Sequence, residues 1–472
     1  MIDRYPTVLR SALCGLLLVF AADRLVAAPP DLDDPATQQR IRSLVQPYLD
    51  SEQVVGLSLG LIAGDSSATF HFGKTSHRGE TPTDQTVYEI GSVSKVFTGI
   101  LLADAVVQDK VKLDQDAADL LPAGARMPDS NGKKITLLDL SIHRSGLPRL
   151  PSNMKNVGGE NPYADYTSQL ALEFLSDYSL TRDPGDEMEY SNFAVSFLGY
   201  LLCHQAGKSY DQLLSERIAK PLGMTSTTVT GDAEVLKRLV IGHSTPGKPH
   251  STWEFADMPG AGGIRSTVAD MLRFAKSNLD PPEDDLGKTL QLAWKQHRGG
   301  DAKDFAMGLG WHIARDGSTR WHNGQTGGYH AMLFVNRQVP AAVVLLTNTA
   351  TMEVDVLAED LIRMLAGAAV EPRTFQSTID VPIAKMKRCE GRYLIAPGAV
   401  FDVSIVKDRL MVQLTGQPAF EVFPKSETEW FYKVVRATLT FKDEQNGQFK
   451  ALELFQNGIR VSATRIAPAE AE

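Results

Sequence analysis

Ser92-Val93-Ser94-Lys95 is a stretch of four residues whose types and spacing could carry covalent chemistry. A serine hydroxyl is a poor nucleophile until an adjacent base takes its proton. Lysine can be that base only where burial and nearby positive charge favour its neutral form. Residues three apart share a helix face, so a helix opening at Ser92 would aim both side chains into one cleft. The chemistry would be nucleophilic catalysis by Ser92. By itself the same spacing also describes an exposed helix start with a surface lysine.

Other candidates carry less. Gly56-Leu57-Ser58-Leu59-Gly60 satisfies G-x-S-x-G, but that elbow needs a strand followed at once by a helix. Here the run continues as a strand into a hairpin, with Ser58 in mid-strand, and it is set aside. His71, His143 and His330 show no metal-ligand spacing with nearby Asp, Glu or Cys and read as structural histidines. No metal is expected, and without a Walker or dinucleotide fingerprint no nucleotide cofactor either. Of the three cysteines, Cys14 lies near the N-terminus, and Cys203 and Cys389 read as buried free thiols.

The elements around Ser92 follow from periodicity. Residues 54–72 read as a hairpin, with Leu57, Leu59 and Leu61 alternating, a Gly64-Asp65 turn, then Ala68, Phe70 and Phe72. Past Val87 the pattern turns helical, with Val96, Ile100, Leu101, Ala105 and Val106 on one face. Helices and polar loops alternate to about Ala275. Strands return over 308–315, 319–322, 330–336 and 341–347, and 357–366 reads as a closing helix. This order predicts an antiparallel sheet built from both ends of the chain, with the helical middle inserted as a lobe. From about Val381 short alternating runs (401–406, 410–414, 430–435, 437–441 and 451–455) and the turn signals Asn446-Gly447 and Asn457-Gly458 predict a small β-barrel or sandwich.

The bulk numbers narrow the setting. At 472 residues the chain is too long for one compact core. A formal net charge of -9 argues against a nucleic-acid partner. Arg4 and Arg10 precede an apolar run, Ala12 to Ala22, that ends in small residues at Ala27-Ala28. These are the parts of a secretory signal over residues 1–28. A periplasmic or secreted protein is expected, with no transmembrane segment in the mature chain. The expected division is 29–370 for a hydrolase domain, 371–380 for a linker and 381–468 for a small β-domain.

The segment Glu89-Ile90-Gly91-Ser92-Val93-Ser94-Lys95-Val96-Phe97-Thr98-Gly99 is very similar to the nucleophile segment of class C β-lactamases. Their family also includes D-alanyl-D-alanine peptidases and some esterases. The Ile142-His143-Arg144-Ser145-Gly146-Leu147-Pro148 segment resembles the family's loop after its second helix, Tyr190-Ser191-Asn192 its Y-x-N motif, and His322-Asn323-Gly324 its third motif. The resemblance runs roughly from Leu44 to Leu365. It implies an α/β (α+β) fold of β-lactamase/DD-peptidase type, with an antiparallel sheet flanked by helices and an inserted helical lobe. The C-terminal part resembles the lipocalin-like β-barrels appended to some members.

The resemblance also implies roles. Ser92 would be the nucleophile, with Lys95 and Tyr190 moving its proton to the leaving group. Asn192 would bond the substrate amide and the Lys95 ammonium. His322, Asn323 and Gly324 would lie on the edge strand of the sheet facing the serine, and the N–H groups of Ser92 and Gln325 would form the oxyanion hole. Most β-lactamases of the family carry lysine where this chain has His322. A side chain mostly neutral at pH 7 thus replaces a fixed cation, which weighs against strong penicillinase activity. Leu150 stands about where class C enzymes carry a substrate-binding glutamine. Residues 261–263, 266–267 and 270–271 resemble a structural loop of the family and read as architecture. The expected substrate is a small molecule or peptide: a β-lactam or a D-alanyl peptide of the cell wall. The alternatives are an esterase acting on short acyl esters and a non-catalytic penicillin-binding protein.

Overall fold

The structure is a computed structural model describing residues 29–467, except 232, 246, 300–305, 376–377, 433–434, 436 and 457–458. The expected signal segment, residues 1–28, and the Asn457-Gly458 turn lie outside the described residues. The chain divides into two compact units, one running to Arg373 and the other beginning at Thr374.

In the first unit the two ends of the chain build one antiparallel sheet. Its seven strands run, edge to edge, Ser66–Gly73, Gly56–Ala63, Ala341–Thr347, His330–Asn336, Thr319–Gln325, His312–Ile313 and Ala306–Met307. Leu57 pairs with Thr347 and Ala63 with Ala341, so the hairpin near the start is closed by a strand some 280 residues later. All eight residues of Gly56–Ala63 are buried, as are those of the two strands that follow it across the sheet, 341–347 and 330–336. A strand buried on both faces needs a near-continuous apolar run. The cover is helical: Val268–Leu279 packs on the 56–63, 330–336 and 341–347 strands, and Glu353–Leu365 packs on the latter two and against Pro35–Asp50. Gly60 shows why the alternation was legible, because an added Cβ there would lie 2.5 Å from Leu272 Cγ.

The helical middle forms the lobe. Its centre is the Ser94–Val107 helix, whose first ten residues, Ser94 to Ala103, are all buried. The sequence suggested a helix with one apolar face. The observed helix is apolar most of the way round because it passes through the core. The expected 308–315 strand is instead two short strands, Ala306–Met307 and His312–Ile313, with a tight turn at Gly310 (φ +69°). The closing helix begins at Glu353, earlier than expected, because Glu353 and Asp355 occupy its first turn.

The second unit is a closed barrel of eight antiparallel strands between Gly391 and Ile466. Inward-facing Tyr393, Phe401, Leu410, Trp430, Leu439, Phe441 and Phe449 are buried and fill it. Asn446 and Gly447, at φ +53° and +75°, form the tight hairpin turn their sequence signalled. The strands Gly391–Ala396, Ala419–Pro424 and Ile459–Ile466 had not been expected. Cys203 and Cys389 carry no disulfide, and burial pushes both thiols up to about 12. Among the described residues no helix is long and apolar enough to cross a membrane.

Candidate active site

Ser92 sits in a single 3-10 turn, Gly91–Val93, that runs directly into the Ser94–Val107 helix. Gly91 opens the turn at φ +49°, a left-handed conformation that a β-carbon disfavours. Ser92 stays half-buried while Gly91 and Val93 are covered. One turn on, Lys95 is fully buried, at 0% exposure. Its Nζ donates to Ser92 Oγ at 2.8 Å and to the Ala261 carbonyl at 2.8 Å. Burial, and then the Arg149 guanidinium nearby, hold its pKa well below the usual lysine range. The surface-lysine reading of the motif is thereby removed. A lysine in this state has a lone pair to offer, and Ser92 Oγ lies within its reach.

Tyr190 closes the other side. Lys95 Nζ lies 4.9 Å from its ring centroid, and the His143 ring packs on it at 4.4 Å. Burial raises the phenol's pKa, with a hydrogen bond to Ser92 working against that rise. The phenol is therefore neutral, able to accept a proton on its oxygen as it gives up its own. Tyr190 is held by a bolted corner. Ser191 caps the Asn192–Ala206 helix, its Oγ accepting from Ala194 N at 2.9 Å and donating to the Pro148 carbonyl at 2.7 Å. Ser191 N donates to His143 Nδ1 at 3.1 Å, and the amides of Asn192 and Phe193 donate to the Arg149 carbonyl.

Two expectations need correction here. Asn192 does not bond Lys95. Its Nδ2 donates to the Tyr163 hydroxyl at 2.9 Å, and its buried Oδ1 has no partner. The lysine's second acceptor is the Ala261 carbonyl, so the stretch read as architecture reaches the site with a backbone atom. A carbonyl leaves no side-chain signature, and nothing in the sequence marked it.

The third motif lies on the Thr319–Gln325 strand. This is not the outermost strand of the sheet, since two short ones follow it. The nearer, His312–Ile313, pairs only with Trp321 and Arg320, so His322 to Gln325 have no strand neighbour on that side among the described residues. The motif thus faces the serine as an edge would. Gly324 permits the approach: an added Cβ would lie 2.1 Å from the Ile90 carbonyl and 2.6 Å from Ser92 N. Likewise a Cβ on Gly91 would lie 2.6 Å from Gln325 N. Turn and strand meet with no side chain between them, and the Ser92 and Gln325 amides both lie at that seam.

His322 is 1% exposed. Its Nδ1 must be the protonated nitrogen, because it lies 2.5 Å from the Asn323 carbonyl, which can only accept. Nε2 is left as a buried acceptor without a partner. Burial, then His312 and Lys95, depress its pKa well below the usual histidine range. His312 beside it is held at about 4 by burial and Lys95, and His143 is likewise depressed by burial. The three imidazoles around Tyr190 are thus uncharged.

Behind the strand lies a brace that the sequence did not disclose. Asp355, on the Glu353–Leu365 helix, accepts from Asn323 Nδ2 at 2.8 Å and bonds His330 Nε2 at 2.6 Å. His330 Nδ1 in turn lies 3.0 Å from Gln325 Oε1. One buried carboxylate therefore fixes both odd-numbered residues flanking Gly324.

A second serine has partners too. Ser58 Oγ lies 2.9 Å from His71 Nδ1 and 3.0 Å from the Tyr88 hydroxyl, and His71 Nε2 lies 3.0 Å from Asp84. Ser58 is 0% exposed, in mid-strand, with its backbone flanked by His71 and Leu346. No carbonyl substrate can reach it. The described residues hold no group of three or more His, Cys, Asp or Glu placed to bind a metal.

This geometry agrees with what the chain resembles. The family profile described as "Beta-lactamase" matches residues 41–368, well over half of the chain. The D-alanyl-D-alanine-carboxypeptidase/endopeptidase AmpH of Escherichia coli K12 is 31% identical over 278 residues, covering 57% of this chain and 69% of that protein. A β-lactamase of the same organism is 28% identical over 313 residues, covering 64% and 76%. Among solved structures, a β-lactamase/D-alanine carboxypeptidase from Yersinia pestis complexed with citrate superposes with a TM-score of 0.60 at 26% identity, over 71% of this chain and 99% of that one. The chain belongs to the β-lactamase family and is a serine hydrolase of the β-lactamase/D-alanyl-D-alanine carboxypeptidase type.

Proposed function

We propose that the protein hydrolyses D-alanyl peptide or β-lactam amide bonds through an acyl-enzyme on Ser92. The observation that carries this reading is the 2.8 Å contact from Lys95 Nζ to Ser92 Oγ, made by a lysine whose burial favours the neutral amine. Lys95 takes the serine proton as Oγ attacks the carbonyl carbon. The Ser92 and Gln325 amides hold the oxyanion, and Tyr190 passes the proton to the departing nitrogen. Water then resolves the ester. His322, Asn323 and Gly324 line the substrate's path on the strand side, and Asn192 meets the substrate amide.

Neutral His322 favours a peptidase over an efficient β-lactamase. The same feature keeps an esterase on short acyl esters as the second reading. On both readings the protein is exported through the 1–28 signal, acts outside the cytoplasm and carries an accessory barrel over 381–468. The test is a time course with a fluorescent penicillin on the whole protein and on Ser92→Ala. A persistent label on the wild type alone supports the peptidase, and rapid loss with hydrolysed product supports a β-lactamase. No label, with Ser92-dependent turnover of short esters, leaves the esterase.

A further inference from the structure

We propose that Arg149 is the anion-binding residue of this cleft, its guanidinium receiving a carboxylate of the substrate. The inference rests on the acyl-transfer reading above and goes beyond it by naming a charge the substrate carries.

Three observations support it. First, the position expected to hold a fixed cation cannot do so: His322 is buried, its Nδ1–H is spent on the Asn323 carbonyl, and Nε2 is a bare acceptor that would repel a carboxylate. Second, the other cation at the site, Lys95, is buried with Nζ committed to Ser92 and Ala261, and its role needs it neutral. Third, Arg149 is exposed, with its guanidinium carbon 5.2 Å from the Tyr190 ring centroid. Among the described residues no aspartate or glutamate pairs with it.

The backbone of Arg149 is fixed even though its side chain is free. Its carbonyl accepts from Asn192 N at 3.1 Å and Phe193 N at 3.2 Å, which ties it to the helix start beside Tyr190. The next residue, Leu150, lines an apolar hollow with Tyr163, Asn192 and Phe193, which places the Arg149 backbone beside that hollow. A guanidinium stacked on an aromatic face keeps its in-plane N–H fork for a carboxylate.

A carboxylate could come from the C-terminus of the leaving D-alanine or from a side chain of the acyl part. Two pairs of acyl-D-alanyl esters separate these sources. One pair differs only in a C-terminal carboxylate against its carboxamide, the other only in an acidic against an amidated side chain on the acyl residue. Values of kcat/KM are measured for the whole wild-type protein, Arg149→Gln, Arg149→Lys and Ser92→Ala, with thermal unfolding as the folding control. In the pair that carries the recognised group, the wild type prefers the carboxylate. Arg149→Gln lowers that preference about tenfold or more, mainly through KM, and Arg149→Lys restores part of it. The responding pair identifies the source. If Ser92→Ala is inactive and the charge preference of Arg149→Gln equals that of the wild type in both pairs, the Arg149 assignment falls and the acyl-transfer reading stands. If Ser92→Ala retains wild-type turnover, or the wild type turns over none of the four esters, both fall.

Discussion

Ser92 and Ser58 are each hydrogen-bonded to a potential base, yet their surroundings differ in every way that matters for catalysis. Ser58 has a histidine at 2.9 Å backed by an aspartate, and in a list of contacts it would look the better equipped. It lies inside a strand, fully covered, with sheet neighbours on both sides. Ser92 lies half-buried in a tight turn at a helix start, where backbone N–H groups are left without intrahelical partners, and Gly324 lets the strand that carries the Gln325 amide come directly against that turn. The difference teaches that a base is the smaller part of a nucleophile's equipment. Exposure and a place for the developing negative charge set the two serines apart.

Four comparisons of variants and one pH profile would break or sharpen that contrast. The largest effect is expected for Ser92→Ala, which should lower turnover by about 10⁴-fold or more and abolish covalent labelling. An active Ser92→Ala would transfer suspicion to Ser58. Gly324→Ala comes next: its Cβ would displace backbone at Ile90 and Ser92, and turnover should drop about 10²- to 10³-fold, as for loss of an oxyanion donor. The pH profile of labelling reports on Lys95. Because burial lowers its pKa, the free amine is present above that lowered value, so the rate should rise with pH and reach a plateau far below lysine's ordinary titration. Below the limb it should fall about tenfold per pH unit, and a limb near lysine's ordinary range would remove Lys95 as the base.

Asp355→Ala leaves Asn323 Nδ2 and His330 Nε2 without their buried acceptor. It should cost about tenfold in kcat with KM little changed, as a supporting contact behind a site does. Equal damage to KM and kcat would argue for general loosening of the sheet. Ser58→Ala should be the mildest, with turnover within about twofold of wild type. Its stability should fall by about 1–2 kcal/mol as His71 and Tyr88 lose a buried partner.

The legibility of these features in the sequence follows their physical origin. The 330–336 and 341–347 strands were readable because burial on both faces writes a near-continuous apolar run, and the hairpin because Leu57, Leu59 and Leu61, then Phe70 and Phe72, are buried at every second position. Ser92, Lys95 and Tyr190 were readable because side-chain chemistry has a residue code. The Ala261 carbonyl and the Arg149 carbonyl have none, because every residue carries one. Asp355 is a different case: its partners Asn323 and His330 are 32 and 25 residues away, and only the folded sheet brings them together. The Gly391–Ala396 strand escaped notice because Arg392 and Leu394 are both half-buried, which blurs the alternation.

The pairing of Leu57 with Thr347 also has a consequence in time. Chains are synthesised at about 5–20 residues per second, so the first hairpin emerges roughly 15–60 s before the strand that completes it. Throughout that interval Gly56–Ala63 presents an open, apolar edge. Such an edge is a template for pairing with another chain. A nascent molecule needs that edge shielded until residue 347 arrives, and truncation anywhere before 341 should leave an aggregating fragment.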